Sequence, residues 1–252
     1  MMPIRTGTLC PSEAHVWLVE TDAIREDLIS RLSVLSTEER ARMASFRFES
    51  DRISYAAAHL LLRAALSWCA PGMPPAKWEL TNDRLERPEI VAPTSCQQLR
   101  FNISHTRSLV ACLVTRDIDC GVDVEVHRQV EDLEELAARV LSPAEISDLR
   151  ALPESLRPTR FFRYWTLKEA YVKARGLGLS LPLDAVSFDL DERDITIKID
   201  AALNDHGRDW QFEQWAPTEQ HVVAVAVRSG HMGGARIVRH QGMPAWDSPQ
   251  HG

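Results

Sequence analysis

The chain has 252 residues and a formal net charge of −7, and its composition is 44% hydrophobic and 26% charged. These values are typical of a globular protein with one large or two small domains. They exclude a disordered chain, a collagen and a disulfide-stapled miniprotein. The acidic balance also predicts no nucleic-acid partner, because such a protein needs surplus Lys and Arg to neutralise phosphates. A small basic pocket for one phosphorylated ligand is compatible with this charge.

Cysteine spacing and hydropathy bear on the cellular compartment. The five cysteines are odd in number and no two of them have C-x-x-C spacing, which disfavours a disulfide framework and a zinc site. The first residues contain no apolar run typical of a signal peptide. The longest apolar stretch, 55–66, is broken by His59 and Arg63 and is too short to span a bilayer. We therefore expect a cytoplasmic protein with reduced thiols and no membrane contact.

Hydrophobic periodicity predicts alternating strands and helices along the chain. A capping-box pattern, with Ser36 as N-cap and Glu39 three residues later, predicts one helix start. Thr159, directly after Pro158, is predicted to cap a long helix that Gly176 ends. The predicted strands are 15–19, two within 99–114, 121–126, 185–190, 195–199, 210–215 and 221–227, and the predicted helices begin at 37 or cover 51–68, 131–141 and 159–175.

An internal repeat is visible in this order of elements. Residues 35–39 resemble residues 141–145 at an offset of 106 (142 − 36), the same offset relates two strands, and the long helices match at a slightly larger offset. Chance similarity of short apolar patterns is the alternative. The repeat predicts an α+β fold of two similar tandem subdomains, related by a pseudo-twofold axis, with the active site in the cleft between them. We expect subdomains at 1–118 and 119–228, the second carrying the metal site, and a loose glycine-rich tail at 229–252.

Two carboxylates occur on one predicted strand, residues 121–126. Because side chains alternate faces, Asp123 and Glu125 share a face and lie about 7 Å apart at about 3.3 Å per residue. Such carboxylates repel each other unless a cation lies between them, and a hard divalent ion such as Mg²⁺ suits oxygen ligands. The alternative is a solvent-facing edge of an amphipathic strand.

A second acidic group occurs on the long helix after residue 159. Glu169 and Lys173 are four residues apart and therefore share a helix face, while Phe161, Phe162 and Trp165 provide apolar contacts. One interpretation is an exposed ion pair worth about 0.3–0.5 kcal/mol. The other is a third metal carboxylate followed by a lysine that binds phosphate as a point charge.

Ser104 and His105 form a third polar pair at the end of a predicted strand. Adjacent residues on extended backbone point apart, which disfavours a serine–histidine nucleophile pair. Both side chains are able to donate hydrogen bonds to a diphosphate. A polar strand end with ordinary hydrogen bonds is the alternative.

Taken together, the segments FNISH, GVDVE and WTLKEAYVK, in this order and spacing, closely resemble the Sfp-type 4′-phosphopantetheinyl transferases. The resemblance runs from about residue 15 to residue 227. It implies two similar α+β halves in a monomer. It also implies transfer of phosphopantetheine from coenzyme A to a serine of an apo acyl or peptidyl carrier protein, releasing 3′,5′-ADP. Carriers of fatty-acid, polyketide and nonribosomal-peptide synthesis all fit.

The resemblance also implies roles for single residues. By it, Mg²⁺, with Mn²⁺ as an alternative, is bound by Asp123, Glu125 and Glu169. The same match gives catalytic or phosphate-binding roles to Glu169, Lys173 and Lys168, an acid–base role to Glu145, and contacts to coenzyme A to Ser104, His105 and Arg87.

This chain departs from the family pattern at two positions. Ser54 stands where the family usually has an arginine that grips the ribose phosphate, so Arg52 or Arg47 is expected to replace it. Glu86 stands where a glycine usually precedes the pair formed by Arg87 and a proline.

Two competing functions use the same residues. One is another Mg²⁺-dependent transferase acting on a nucleotide-like diphosphate, and the other is a non-catalytic protein that binds coenzyme A or a carrier. The resemblance implies an acidic carrier, and this chain is acidic too, so we expect no long-range attraction between them. A small apolar and basic patch near the second half's long helix is the expected docking surface.

Overall fold

A computed structural model describes residues 9–81, 88–190, 194–230 and 234–245. The chain forms two compact units. The first contains the described residues within 1–83, 88–117 and 236–252, and the second contains those within 118–235. The two units divide at 117/118, against 118/119 in the prediction. Within the described residues, no helix combines the length and the apolar character needed to cross a bilayer.

Over the described residues, both units share an order of one strand, three helices and four strands, and the first unit gains one more strand after the second unit is complete. The first unit contains β1 (Glu13–Glu20), α1 (Thr21–Arg31), α2 (Thr37–Ala44), α3 (Glu49–Cys69), β2 (Glu79–Leu80), β3 (Ile90–Ala92), β4 (Leu99–His105) and β5 (Leu109–Arg116). The second contains β6 (Cys120–Val126), α4 (Leu133–Val140), α5 (Pro143–Ala151), α6 (Arg157–Arg175), β7 (Val186–Leu190), β8 (Ile195–Ile199), β9 (Gln211–Thr218) and β10 (His221–Val227). The predicted α+β fold with an internal repeat is confirmed.

Strand pairing repeats as well. In the first unit β5 pairs antiparallel with β1 and β4, and in the second β10 pairs antiparallel with β6 and β9. Each unit also has a separate antiparallel pair, β2 with β3 and β7 with β8. The long helix of each unit, α3 or α6, packs on the sheet and forms the centre of an apolar core.

A buried ion pair holds the short and long helices together in each unit. Glu39, in the capping box of α2, accepts hydrogen bonds from Arg63 of α3, and Glu145, in the capping box of α5, pairs with Lys168 of α6 at 2.8 Å. Each cation also donates to backbone carbonyls that follow its helix: Arg63 to Pro75 and Trp78, and Lys168 to Leu183 and Val186. The long helices therefore match at an offset of 105 (168 − 63), which is slightly smaller than 106 and not larger as expected.

Two sequence predictions are wrong in detail. The tail from Ser229 is not entirely a loose extension, because a further strand, β11 (Arg236–Gln241), pairs in parallel with β1 over six residues. The long helix begins at Arg157 and not at Thr159, because Pro158 is tolerated in the first turn, where no N–H is needed.

Candidate active site

The close approach of α6 to β6 creates the platform of the site. A Cβ atom on Gly121 would lie 2.0 Å from the carbonyl oxygen of Ala170 and 2.6 Å from the nitrogen of Ala174. Only glycine therefore permits this contact between strand and helix. The glycine that precedes Asp123 and Glu125 is thus part of the site's construction.

Asp123 and Glu125 face α6. Residues paired in register share one face of a sheet, and these two pair with Ala224 and Val222, which belong to the core beneath α6. Asp123 is 5% exposed. The alternative of a solvent-facing strand edge is therefore wrong: both faces of β6 are covered, since Val122 on the other face is also buried.

Lys173 of α6 is the cation next to Asp123. Its Nζ lies 2.6 Å from Oδ1 of Asp123 and donates a second hydrogen bond, of 3.2 Å, to the carbonyl of Val122. The side chain of Lys173 is 26% exposed and that of Asp123 is 6% exposed. Lys173 thus reaches from a buried carboxylate to the surface. An incoming anion is able to contact it there in addition to Asp123 or in its place.

The surroundings of Glu125 and Glu169 favour the protonated form of each carboxyl group. Burial and the neighbouring charge of Asp123 raise the pKa of Glu125 to about 7, against the opposing hydrogen bond that Trp165 donates through Nε1 at 3.0 Å. Burial and Asp123 also raise the pKa of Glu169, which Lys173 opposes. The positive charge next to the three carboxyl groups is therefore too small to balance all three when they are ionised. A bound cation would supply the missing positive charge.

Glu145 and Lys168 lie in a different environment from these groups. Glu145 is 1% exposed, and its two oxygens accept from the backbone of Ser142 and Phe188 and from Lys168. Lys168 is fully buried. Burial lowers the pKa of Lys168, which the carboxylate of Glu145 opposes. These contacts join α5 and α6 to β7 and to the segment that leads into it, which is a structural role.

Both units of the chain match known families of proteins. Residues 119–226 match the 4′-phosphopantetheinyl transferase superfamily, and residues 21–116 match the model described as 4′-phosphopantetheinyl transferase, N-terminal. The 4′-phosphopantetheinyl transferase HetI of Nostoc sp. is 32% identical over 221 residues, covering 87% of this chain and 90% of that protein. The chain belongs to the 4′-phosphopantetheinyl transferase family. It is an enzyme that transfers the 4′-phosphopantetheine group.

Two further relatives of this transferase are 30% or more identical to it. The phosphopantetheinyl transferase of Thraustochytrium sp. is 32% identical over 206 residues, covering 77% of this chain and 70% of that protein. The 4′-phosphopantetheinyl transferase of Bacillus subtilis is 30% identical over 169 residues, covering 67% and 72%. The family resemblance inferred from the sequence motifs is confirmed.

The first unit of the transferase lacks the charged groups of the second. Trp17 and Trp68 occupy the positions equivalent to Asp123 and Lys173, at offsets of 106 and 105, and their rings meet edge-on with centroids 5.4 Å apart. The ion pair of Glu145 has an equivalent in the first unit, whereas the pair of Asp123 does not. A feature present in both repeats is explained by folding, and a feature present in one is a candidate for chemistry.

Four other residues predicted to contact coenzyme A belong to the first unit. Ser104 is buried and His105 exposed at the end of β4. Arg52 is half-buried in the first turn of α3, whereas Arg47 is exposed with its guanidinium 5.4 Å from the ring centre of Phe48. Arg87 lies outside the described residues.

Ser54, the departure from the family pattern, has a structural role. It is buried, and its hydroxyl lies 3.5 Å from the carbonyl of Thr106 and 3.4 Å from that of Arg107, in the turn between β4 and β5. Ser54 therefore stabilises the turn that follows Ser104 and His105.

The expected magnesium triad is not present as a ready-made cluster. Among the described residues, no three or more histidine, cysteine, aspartate or glutamate side chains are arranged so that they could hold a metal ion. The donor set nevertheless has the chemistry that a hard divalent cation requires, namely oxygen ligands only and mutual repulsion. These groups fit Mg²⁺ by chemistry, with Lys173 as the counter-charge of Asp123 in this structure.

Sequence analysis missed a second network that holds α6. Asp205 accepts hydrogen bonds from Tyr171, Arg175 and Trp210 at 2.6–2.9 Å. It ties the last turns of α6, on which Lys173 lies, to the loop before β9. A single aspartate in a loop carries no pattern that would have revealed this role.

Proposed function

We propose that this chain transfers the 4′-phosphopantetheine group from coenzyme A to a serine hydroxyl of an apo carrier protein. The serine oxygen forms a bond to the phosphorus next to pantetheine. The bond from that phosphorus to the bridging oxygen breaks, 3′,5′-ADP leaves, and the serine loses a proton. The observation that carries the proposal is the Asp123–Lys173 pair beside Glu125 and Glu169, present in one repeat only.

We infer that Asp123, Glu125 and Glu169 hold the divalent cation of this reaction. When bound, Mg²⁺ would neutralise the carboxylates and polarise the diphosphate as a Lewis acid. Lys173 supplies a positive charge for the phosphate oxygens. We propose His105 as a further hydrogen-bond donor to the diphosphate. Positioning and charge neutralisation dominate phosphoryl transfer, so few side chains need to react.

The proton of the serine has fewer acceptors than the resemblance implied. Both oxygens of Glu145 already have partners, in the backbone N–H groups of Ser142 and Phe188 and in Lys168, which argues against direct contact with a substrate. We therefore propose that Glu169 or a water molecule takes the proton. A carboxylate that also binds the cation is a weaker base, which favours a water molecule over Glu169.

The test is modification of a panel of apo carriers with coenzyme A, followed by intact-protein mass spectrometry. We expect one carrier class to gain the mass of a single phosphopantetheine group. Removal of divalent ions by a chelator should stop the reaction, and Mg²⁺ or Mn²⁺ should restore it. Binding of coenzyme A without an adduct on any carrier would contradict the proposal and support the non-catalytic alternative.

A further inference from the structure

A residue outside the predicted set continues the row of side chains that β6 presents to α6. His127 follows Glu125 by two positions and therefore extends the alternation of Gly121, Asp123 and Glu125. Its ring lies edge-on to Phe162 of α6, with centroids 6.1 Å apart and planes at 73°. The imidazole is thus on the helix side of the sheet, at the end of the row beyond Glu125.

The backbone of His127 is fixed, but one of its ring nitrogens is not used. The main-chain N–H donates to the carbonyl of Gln220 at 2.7 Å, which extends the pairing of β6 with β10. Nδ1 is buried and has no hydrogen-bond partner in the described part of the chain. A buried polar atom left unpaired costs about 1–3 kcal/mol, so a site of this kind favours an incoming polar group.

The two ends of the row differ in the substrate group that they suit. Lys173 brings positive charge to Asp123, which suits an anionic diphosphate. At the other end, the free ring nitrogen of His127 offers a single hydrogen bond, which suits a hydroxyl group better than a phosphate. The reaction proposed above has one hydroxyl substrate, the carrier serine.

We propose that His127 is an acceptor-side residue: when the carrier docks, its ring turns so that the nitrogen left unpaired in the free enzyme hydrogen-bonds the incoming serine hydroxyl and orients it toward the phosphate. This inference rests on the proposed function. His127 takes no proton in this step. Its contribution is the alignment of the serine oxygen with the phosphorus, since productive geometry alone accounts for large rate effects in transfer reactions.

The test is steady-state kinetics of His127→Phe with a carrier that the wild-type enzyme modifies. Phenylalanine keeps a ring against Phe162 but removes the nitrogens. We expect kcat/KM for the carrier to fall about tenfold or more, since one lost hydrogen bond of about 1.4 kcal/mol corresponds to tenfold. The KM for coenzyme A should stay within about twofold.

Two further variants separate this contact from a structural effect. His127→Asn places an amide near Nδ1 and should recover most of the carrier kcat/KM. His206→Phe, the same change at an exposed histidine of the second unit, should match the wild type. Wild-type carrier kinetics in His127→Phe, or an equal rise in both KM values without rescue by asparagine, would overturn the inference. Transfer by the wild type tests the proposed function separately.

Discussion

At the scale of single residues, the site depends on how few positive charges lie near its carboxylates. Lys173 pairs with Oδ1 of Asp123, whereas burial and Asp123 raise the pKa values of Glu125 and Glu169. In the first unit, Trp17 and Trp68 take the places of Asp123 and Lys173 without any charge. The first unit thus brings the same strand and helix together without these charges, so the charged set is not needed for that contact.

Asp123→Asn should lower the transfer rate by about a hundredfold or more, because it removes the central carboxylate of the set. The amide is isosteric, so the melting temperature should change little. The measurement is carrier modification beside thermal unfolding. Glu134→Gln, which changes an exposed glutamate paired with Arg150, is the matched control and should leave both values unchanged. Near-wild-type transfer in Asp123→Asn would remove this residue from the metal site.

Arg52→Ala tests which residue replaces the arginine missing at Ser54. If Arg52 binds the ribose phosphate, its loss should weaken coenzyme A about tenfold or more, since hydrogen bonds to charged groups contribute about 1.5–3 kcal/mol. Binding of dephospho-coenzyme A, which lacks this phosphate, should change little. Arg47→Ala is the comparison variant, because Arg47 is exposed over Phe48. Equal weakening of both ligands by Arg52→Ala would reject Arg52 as the phosphate contact.

At the scale of elements, one glycine and two capping-box glutamates set the positions of the long helices. Gly121 allows α6 to contact β6 at backbone distance. The capping-box glutamates Glu39 and Glu145 join a short helix to a long one in both repeats. The same carboxylate thus caps a helix, neutralises a buried cation and fixes the distance between two helices.

Gly121→Ala should separate α6 from β6, since the new methyl group would meet backbone atoms that have no freedom to rotate away. Overpacking costs about 1–3 kcal/mol in cores, and we expect the upper end of this range here. Urea unfolding measures the loss of stability, and carrier modification should fall with it because Asp123 moves relative to Lys173. Wild-type stability of this variant would contradict the close approach of the two elements.

Glu39→Gln tests the ion pair of the first unit through its pH dependence. Burial alone would raise the pKa of Glu39, but His59, Arg63 and the backbone of Ser36 lower it to about 2 from a value of 4.5. A lowered folded-state pKa stabilises the fold above the unfolded-state value, and this contribution is lost as the pH falls from about 4.5 to 2. It amounts to at most about 3 kcal/mol.

The wild type should therefore lose stability across this acid range more steeply than Glu39→Gln, as measured by urea unfolding at each pH. Glu26→Gln changes an exposed glutamate of α1 in the same unit and should keep the wild-type pH slope. Parallel acid limbs for the wild type and Glu39→Gln would show that Glu39 has no special role.

At the scale of the whole molecule, the chain returns to its first unit after completing the second. β11 pairs with β1 from Glu13 with Arg236 to Leu18 with Gln241. His240 stacks on Trp17 with ring centres 4.7 Å apart, and its Nε2 lies 2.9 Å from Nδ1 of His15. The C-terminal segment therefore contributes a strand and a half-buried ring to a unit whose other described residues precede it by more than a hundred positions.

Truncation after Gly230 should destabilise the first unit, because it removes β11 and uncovers one edge of β1. At about 2–4 °C per kcal/mol for a chain of this size, a loss of about 2 kcal/mol lowers the melting temperature by roughly 4–8 °C. Amide hydrogen exchange should accelerate at residues 13–18. Truncation after Ala245 keeps β11 and is the control. Unchanged exchange in the shorter chain would mean that β11 does not stabilise β1.

The sequence by itself determined the α+β class, the repeat and the family, and it supplied the candidate site residues, because these depend on local periodicity, capping patterns and motif spacing. Tertiary structure alone decided which of those residues are free to react. Glu145 and Asp123 are both acids in recognisable motifs, yet one is occupied by a buried lysine and two backbone N–H groups, and the other reaches a half-exposed lysine.

The same reason explains the residues that no motif revealed. The strand β11, the contacts of Asp205 and the buried nitrogen of His127 arise from segments far apart in the chain. Burial and the hydrogen-bond partners of a side chain are set by what packs against it, and local sequence does not record that neighbour.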